Sequence, residues 1–198
     1  MTDGARMKIR RSVVALLVAL AIVAVTAGLQ VSAETGVLTA HFISVGQGDS
    51  CWLRLPNGDD VLIDGGKPAA GPTVVAYLTG HGVTDIELMV ATHPDDDHIG
   101  GLVSVLDSMH VEEVWLDSQE LQDCTTDICG ELREALEVHT AVTTTVRMGQ
   151  SHAWGDVTAL VLNPSEPLYA AENDNSIVVR VSLRRCGLPP HWRRPEGS

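Results

Sequence analysis

Two histidines bracket three consecutive aspartates in the segment 92–101, which reads THPDDDHIGG. The segment follows an apolar run that predicts a buried strand and precedes a run that predicts a helix. Aspartates at a helix start can accept backbone N–H bonds and complement the helix dipole, which accounts for one or two of the three. It accounts neither for His93 and His98 nor for adjacent carboxylates whose mutual repulsion a cation would relieve. The segment therefore predicts a metal site.

The ligand types indicate which metal this site would hold. Imidazole and carboxylate suit Zn²⁺ or Mn²⁺ and do not suit copper(I) or an iron–sulfur cluster. From an irregular loop, His93 and Asp95 can point one way while Asp97 and His98 point another, which gives two half-sites. Two ions roughly 3.5–4 Å apart that share a water generate hydroxide near neutral pH. We expect one or two ions, Zn²⁺ or Mn²⁺, and hydrolytic chemistry.

The elements that must position this segment predict an α/β or α+β body with layered packing. β-rich runs separated by glycine-containing turns occupy residues 37–64 and predict an antiparallel start. Strands and helices then alternate. The predicted strands cover 86–92, 111–116, 142–146, 157–162 and 176–183, and the predicted helices cover 72–78, 99–109 and 128–138.

Charge is unevenly distributed along the chain. The 198 residues carry a formal net charge of −13, and residues 34–183 hold 24 acidic side chains against 5 basic ones. A protein that binds nucleic acid through a broad basic face carries the opposite balance, because Lys and Arg neutralise the phosphates. We therefore expect no large basic nucleic-acid surface.

Residues 1–33 have the pattern of a secretory signal peptide. Four basic residues precede an uncharged apolar stretch at 13–29, and Val31-Ser32-Ala33 predicts cleavage after Ala33. An uncleaved membrane anchor is the alternative, since the stretch is near the lower length limit for crossing a bilayer. In either case the rest of the chain lies outside the cytoplasm, with membrane contact only through this segment. There, Cys124 and Cys129 could form a small-loop disulfide, with a metal clip as the alternative.

Segment 92–101 also resembles a known family. H-x-[HD]-x-D-H between a strand and a helix is the signature of the metallo-β-lactamase fold, and T-H-P-D-x-D-H-I-G-G is similar to its ComEC-type competence branch, the DNA-uptake proteins and their stand-alone relatives. FISVGQGDS at 42–50 matches the V-G-Q-G-D-S segment of that branch, and LIDGG at 62–66 matches L-I-D-x-G. NDNSIV at 173–178 is similar to N-x-N-S-hydrophobic, so the resemblance spans about 37–183.

The resemblance implies an αβ/βα metallo-β-lactamase sandwich and a role for each motif residue. His93 and Asp95 would serve a first metal, and Asp97 and His98 a second. Asp64 would sit beside the site and orient a ligand; an ordinary turn-entry aspartate is the alternative. Asp97 and Asp64 are the candidate catalytic residues that manage the proton. The residues that would line the cleft as polar contacts are Asp49, Ser50, Asn175 and Ser176.

The sequence departs from the family pattern after the N-x-N-S strand. Relatives continue into a T-G-D segment and later an H-H-G-S segment, both of which supply ligands, and neither motif occurs here. Residues 184–198 instead hold four Arg and three Pro. We therefore predict a sandwich incomplete at its C-terminus, with its N-terminal part at 34–183 and an atypical basic tail at 184–198. That tail is either a disordered basic segment or the product of truncation or a reading-frame slip.

The function that the resemblance implies is an exported metal-dependent hydrolase in which metal-bound hydroxide attacks a phosphoester or phosphodiester. DNA as the substrate is suggested only by the ComEC-type resemblance. A β-lactam or another small ester stays open, because the same hydroxide would attack it. A non-catalytic fragment that only binds metal is the second interpretation.

Overall fold

The strands and helices that position segment 92–101 are given by a computed structural model, which describes residues 36–170 and 172–184. The signal or anchor predicted for residues 1–33, and the predicted tail beyond Arg184, lie outside the described residues. In the part of the chain that is described, no helix combines the length and apolar character needed to cross a membrane.

The described strands form two sheets. In the larger sheet they lie in sequence order: β1 (Thr39–Phe42), β2 (Cys51–Arg54), β3 (Asp60–Ile63), β4 (Asp85–Val90), β5 (His110–Leu116) and β6 (Val142–Thr145). The pairs from β1 to β3 are antiparallel, and those from β3 to β6 are parallel. The smaller sheet is antiparallel and consists of β7 (Ser151–Trp154), β8 (Val157–Asn163) and β9 (Val178–Leu183).

The helices provide the crossovers that parallel strands require. They are α1 (Gly71–Gly80), α2 (Asp96–Ser108), α3 (Ser118–Asp123) and α4 (Asp127–Val138), with 3-10 turns at Pro68–Ala70 and Glu172–Asn175. A proline at the second position of α1 suits a helix start, because the N–H it lacks would have no partner in the helix there.

Two apolar cores separate three layers. Because successive side chains of a strand point to opposite faces, Leu62 of β3 packs with the helices while Val61 faces the smaller sheet. In β5, Val114 and Trp115 divide in the same way. The described layers are therefore the helices, the mixed sheet and the smaller antiparallel sheet.

The predicted antiparallel start and the later alternation of strands and helices are confirmed. Helix α2 begins at Asp96, three residues before the predicted start at Ile99, because the second and third aspartates form its first turn. Strand β7 and helix α3 were not predicted. β7 alternates between exposed and half-buried residues and α3 has six residues, so neither carries a strong apolar pattern.

The parallel strands bring the predicted motifs to one edge of the sheet. Strands β3, β4 and β5 run in the same direction, so the residues that follow Ile63, Val90 and Leu116 lie along a common edge. In open α/β sheets this carboxyl edge is where ligands bind. Asp64 and segment 92–98 are thereby placed side by side.

Close backbone contacts hold the two loops together at that edge. The N–H of Gly65 donates to the carbonyl of His98 (2.7 Å), and that of Gly101 donates to the carbonyl of Gly66 (2.8 Å). A Cβ at Gly101 would lie 1.9 Å from the Gly65 oxygen, so a side chain is excluded there. The glycine pairs at 65–66 and 100–101 thus allow α2 to start against the end of β3.

Candidate metal centre

Asp64 is the centre of the hydrogen-bond network at this edge. It is 3% exposed and has a positive φ of 56°, a strained backbone conformation for a residue other than glycine. Its Oδ1 accepts the backbone N–H of Thr92 (2.9 Å), and its Oδ2 accepts the Thr92 hydroxyl (2.7 Å) and Nδ1–H of His98 (2.8 Å). One buried carboxylate therefore joins the ends of β3 and β4 to the first turn of α2.

The same network sets the tautomers of both histidines. An ionised carboxylate only accepts hydrogen bonds, so the Thr92 hydroxyl is the donor in its hydrogen bond to Asp64. The Thr92 oxygen must then accept from Nδ1 of His93, at 3.0 Å. With Nδ1 of His93 and of His98 both acting as donors, the Nε2 atom of each neutral ring carries the free lone pair. Metal-binding histidines are commonly held in this way through their other nitrogen.

His93 and Asp95 present two donor atoms to the same place. Nε2 of His93 lies 3.3 Å from Oδ2 of Asp95. This matches the separation of roughly 3.4 Å between two ligands of one tetrahedral zinc ion, given metal–ligand distances of about 2.1 Å. Asp95 is the N-cap residue of α2, yet its side chain makes no capping hydrogen bond. Helix capping therefore does not account for this carboxylate.

His98 is surrounded by negative charge. Its hydrogen bond to Asp64 raises the pKa of His98; partial burial opposes this rise, and the charges of Asp64, Asp97 and Asp49 add to it. The Asp97 carboxylate accepts a hydrogen bond from the Gln47 amide at 3.4 Å. The His98 ring also lies 3.9 Å from the His93 ring between centroids, so the two imidazoles are adjacent at this edge rather than on separate sides of the loop.

The 3-10 turn at Glu172–Asn175 covers the loop from the second sheet. Nδ2 of Asn173 donates to Oδ2 of Asp95 at 3.2 Å, and the N–H of Ile177 donates to the carbonyl of Thr92 at 2.8 Å. The N-x-N-S segment is therefore held against the predicted metal ligands, and Asn173 is the residue that touches one of them.

The four residues predicted to line the cleft have different surroundings. Asp49 is exposed, and its backbone N–H donates to the Asp97 carbonyl (3.2 Å). Ser50 is buried, and its hydroxyl has no hydrogen-bond partner among the described residues. Asn175 is buried with its amide bonded to the backbone of Tyr169, and the Ser176 hydroxyl donates to the Asn173 carbonyl. Asp49 is thus the one whose charge reaches a predicted ligand, and cleft contacts for the other three stay predictions.

The donor set suits a borderline or hard divalent ion in its chemistry. It offers neutral imidazole nitrogen and carboxylate oxygen with partners that fix their orientation. Within residues 36–170 and 172–184, however, the structure shows no group of three or more His, Cys, Asp or Glu side chains converging on one point. The described residues therefore fit Zn²⁺ or Mn²⁺ in donor type and supply a convergent pair at His93 and Asp95.

A disulfide packs against the loop at residues 92–98, here called the metal loop. Cys124 and Cys129 are joined, and the Cys129 sulfur lies 3.5 Å from the carbonyl oxygen of Pro94 in this loop. Cys129 is fully buried at the start of α4. The disulfide left open by the sequence is therefore present, and it packs directly against the turn between His93 and Asp95.

Three residues with a place in this site were quoted in motifs but given no role by the sequence. Thr92 links Asp64 to His93 through two hydrogen bonds. Gln47 donates a hydrogen bond to Asp97, and Asn173 donates one to Asp95. Their positions inside T-H-P-D, V-G-Q-G-D-S and N-x-N-S were the available signal. Asp64, Asp97 and Asp95, the aspartates they contact, are 28 to 78 residues away in the chain, which no local pattern reveals.

Comparison with known proteins places this geometry in a fold. No protein-family model matches the chain, and no curated protein matches it. Among solved structures, MEM-A1, a subclass B3 metallo-β-lactamase from a soil metagenome library, is 16% identical with a TM-score of 0.53, covering 75% of this chain and 56% of that one. A metallo-β-lactamase from Cronobacter sakazakii is 18% identical with a TM-score of 0.52, covering 77% and 60%.

A third similar structure has a different activity in its name. The chemotaxis sensor ODP, solved as a peroxy diiron species, is 13% identical with a TM-score of 0.52, covering 74% of this chain and 56% of that one. This chain spans between 56% and 60% of the length of these three structures. At such identities the likeness defines the architecture alone: the chain is an α/β protein with the metallo-β-lactamase fold.

Proposed function

We propose that this protein is a metal-dependent hydrolase that acts on phosphoesters, with Zn²⁺ or Mn²⁺ held by His93, Asp95, Asp97 and His98. The observation that carries the proposal is the hydrogen-bond chain from Asp64, which orients both imidazoles and leaves their Nε2 atoms free. When bound, such an ion supplies the Lewis acidity that makes water nucleophilic near neutral pH and polarises the ester.

The protein's own residues would divide the remaining work. Asp64 keeps His93 and His98 in the ligating tautomer, and Asn173 holds the Asp95 carboxylate toward His93. Asp97 is half-buried, and the contact seen for its carboxylate is a long hydrogen bond from Gln47. It is therefore the candidate to hold the proton that water releases.

Electrostatics also supports a cation at this edge. Asp49, Asp64 and Asp97 all act on His98 through their charges, and Asp95 lies beside His93. Like-charged carboxylates brought this close are stabilised by a positive ion between them. At this edge of the sheet, the excess of acidic residues in 34–183 therefore favours the binding of a metal cation.

Phosphoester as the substrate class rests on the ComEC-type motifs, and we propose that branch as the nearest functional relative. A β-lactam or small ester is the second candidate, favoured by the structural likeness to subclass B3 metallo-β-lactamases. A protein that binds metal without turnover is the third, because three or more described ligands do not converge.

We further propose that the protein acts outside the cytoplasm, through the signal or anchor predicted at residues 1–33. The Cys124–Cys129 disulfide supports this proposal, since such bonds persist in oxidising compartments and are rare in the cytosol.

Metal titration combined with turnover tests the hydrolase. The metal-free chain is titrated with Zn²⁺ and Mn²⁺, and the loaded protein is assayed with bis(p-nitrophenyl) phosphate and with the cephalosporin nitrocefin. We expect His93→Ala to lower metal affinity and abolish diester cleavage. His110→Ala is the matched control, because His110 is exposed and lies at the opposite end of β5.

Each outcome selects one candidate. Cleavage of the diester that depends on His93 supports the phosphoesterase, and cleavage of nitrocefin alone supports the β-lactamase. Zinc binding without turnover of either compound leaves the metal-binding protein. Equal behaviour of His93→Ala and wild type in both measurements contradicts a metal centre at this loop.

A further inference from the structure

Lys67 differs from Arg54, Arg133 and Arg147 in the partner of its charged group. Arg54 pairs with Asp60, Arg147 pairs with Asp117 and Glu166, and Arg133 donates to backbone carbonyls. Lys67, within the described part of the chain, makes no ion pair, and its ammonium group donates to the neutral Oε1 of Gln47 at 3.0 Å. Its charge is therefore not neutralised by a carboxylate, although the Gln47 side chain that it contacts is bonded to the Asp97 carboxylate.

The backbone fixes Lys67 beside the metal loop. It follows the Gly65–Gly66 pair, whose N–H groups donate to the carbonyls of His98 (2.7 Å) and Asp49 (2.9 Å). It also precedes Pro68, against which α2 packs so closely that a Cβ at Gly100 would lie 2.2 Å from the proline ring. The Lys67 main chain is thus clamped to the turn that carries Asp97 and His98.

The Gln47 amide links the side chain of Lys67 to the Asp97 carboxylate. Gln47 accepts from Lys67 through its oxygen and donates through its nitrogen to Oδ2 of Asp97, at 3.4 Å. One amide therefore separates the ammonium group from a predicted metal ligand. An ammonium group has three N–H donors, and one is used in the described structure, so two are available to a ligand.

A lysine separated from a predicted metal ligand by one amide is placed to bind an anionic substrate. A phosphodiester carries a negative charge on its non-bridging oxygens before and during attack, and a positive group placed beside them binds that charge in both states. Lysine is a common phosphate-binding residue and acts as a flexible point charge. A neutral carboxylic ester carries no charged oxygen for such a group to bind.

We propose that Lys67 is the anion-binding residue of this site and takes a non-reacting phosphoester oxygen, with Gln47 as the positioning residue that holds its ammonium group beside Asp97. This inference rests on the proposed hydrolase, whose substrate it restricts to esters that carry a negative charge.

Phosphate binding tests the inference without requiring turnover. Inorganic phosphate is titrated calorimetrically into the zinc-loaded full chain of wild type, Lys67→Met, Lys67→Arg and the control Arg180→Met, which removes an exposed cation of β9. We expect Lys67→Met to weaken binding about ten-fold, as for loss of one charged hydrogen bond. Lys67→Arg should stay within about three-fold of wild type, because the charge is kept, and Arg180→Met should match wild type.

Kinetics then separates this inference from the hydrolase itself. For bis(p-nitrophenyl) phosphate, Lys67→Met should raise KM about ten-fold with little change in kcat, and cleavage of neutral p-nitrophenyl acetate should not change. Diester cleavage with unchanged KM and unchanged phosphate affinity in Lys67→Met overturns the role of Lys67 and leaves the hydrolase standing. Lys67-dependent phosphate binding without any diester cleavage does the reverse. Absence of phosphate binding by wild type also overturns it.

Discussion

Strand β3 carries a buried aspartate at its start and another immediately after its end, and the two have opposite surroundings. Asp60 and Asp64 are 5% and 3% exposed and roughly 13 Å apart along the strand. Asp60 accepts hydrogen bonds from Trp52 and from two nitrogens of Arg54, so a permanent cation neutralises it. Asp64 is hydrogen-bonded instead to Thr92 and His98, and Thr92 is in turn bonded to His93.

The aromatic residues near Asp60 show that two histidines alone do not make a metal site. His41 and His81 lie 5.5 Å apart between ring centroids, and Nδ1 of each is bonded to Tyr77. Arg54 lies over the adjacent Trp52 and donates to the His81 carbonyl, which places positive charge where a metal would need anions. At the Asp64 end the histidines are bracketed by carboxylates. The difference is thus in the charges around the imidazoles.

The largest effect that separates the two ends should come from Gly101→Ala. Its Cβ would lie 1.9 Å from the Gly65 oxygen, and because both atoms belong to packed backbone we expect a loss of about 3 kcal/mol or more in the free energy of unfolding. The control is Gly80→Ala, whose Cβ meets nothing within 4 Å at the end of α1. Urea denaturation measures both. Similar stabilities would contradict the close contact between α2 and the end of β3.

Asp60→Ala tests the structural end. Removing this carboxylate leaves the Trp52 indole N–H without its acceptor and the half-buried Arg54 guanidinium without its counter-charge, so we expect the free energy of unfolding to fall by about 3 kcal/mol. Zinc affinity, measured by competition with a chromophoric chelator at a temperature where the variant is folded, should stay within about two-fold of wild type, since a neighbour outside the ligand network adds little. A large loss of zinc affinity would show that the two ends of β3 are coupled.

Asp64→Asn tests the other end and should have the smallest effect on stability. Asparagine tolerates the positive φ at this position, and its amide oxygen can still accept from Thr92. Its NH₂ group cannot accept from His98, so that imidazole loses its orientation, and we expect zinc affinity to fall about 10- to 100-fold. The same chelator competition measures this change. Zinc affinity equal to wild type would indicate that Asp64 only terminates the strand.

Much of the fold follows from local patterns, because strands and helices leave periodic apolar signatures. The antiparallel β1–β3 unit, the buried β4 and the helix after His98 were all predicted, and segment 92–101 singled out the loop where the site lies. Helix α2 started earlier than predicted, since Asp96 and Asp97 contribute to its first turn while Asp95 does not cap it through its side chain. Polar helix starts lack the apolar period from which helix boundaries are inferred.

The family resemblance predicted that Asp64 would orient a ligand, but local patterns did not give the individual contacts of the site, because these join residues distant in the chain. Asp64 bonds Thr92 and His98, Asn173 reaches Asp95, and Lys67 lies next to Gln47. The Cys124–Cys129 disulfide could be suggested from spacing, but its contact with Pro94 depends on where α4 packs. Side-chain partners of this kind follow from strand order and loop packing, which a sequence motif does not encode.

The sequence by itself determined the chemistry available to this protein: two imidazoles around three carboxylates, an acidic body short of cations, and the strand and helix that flank them. These properties depend on residue type and close spacing, so they are readable without a structure. Only the tertiary structure decided that Asp64, 34 residues before His98 in the chain, would set the orientation of both histidines. It did so because parallel pairing of β3 with β4 brings the ends of both strands to the same edge of the sheet.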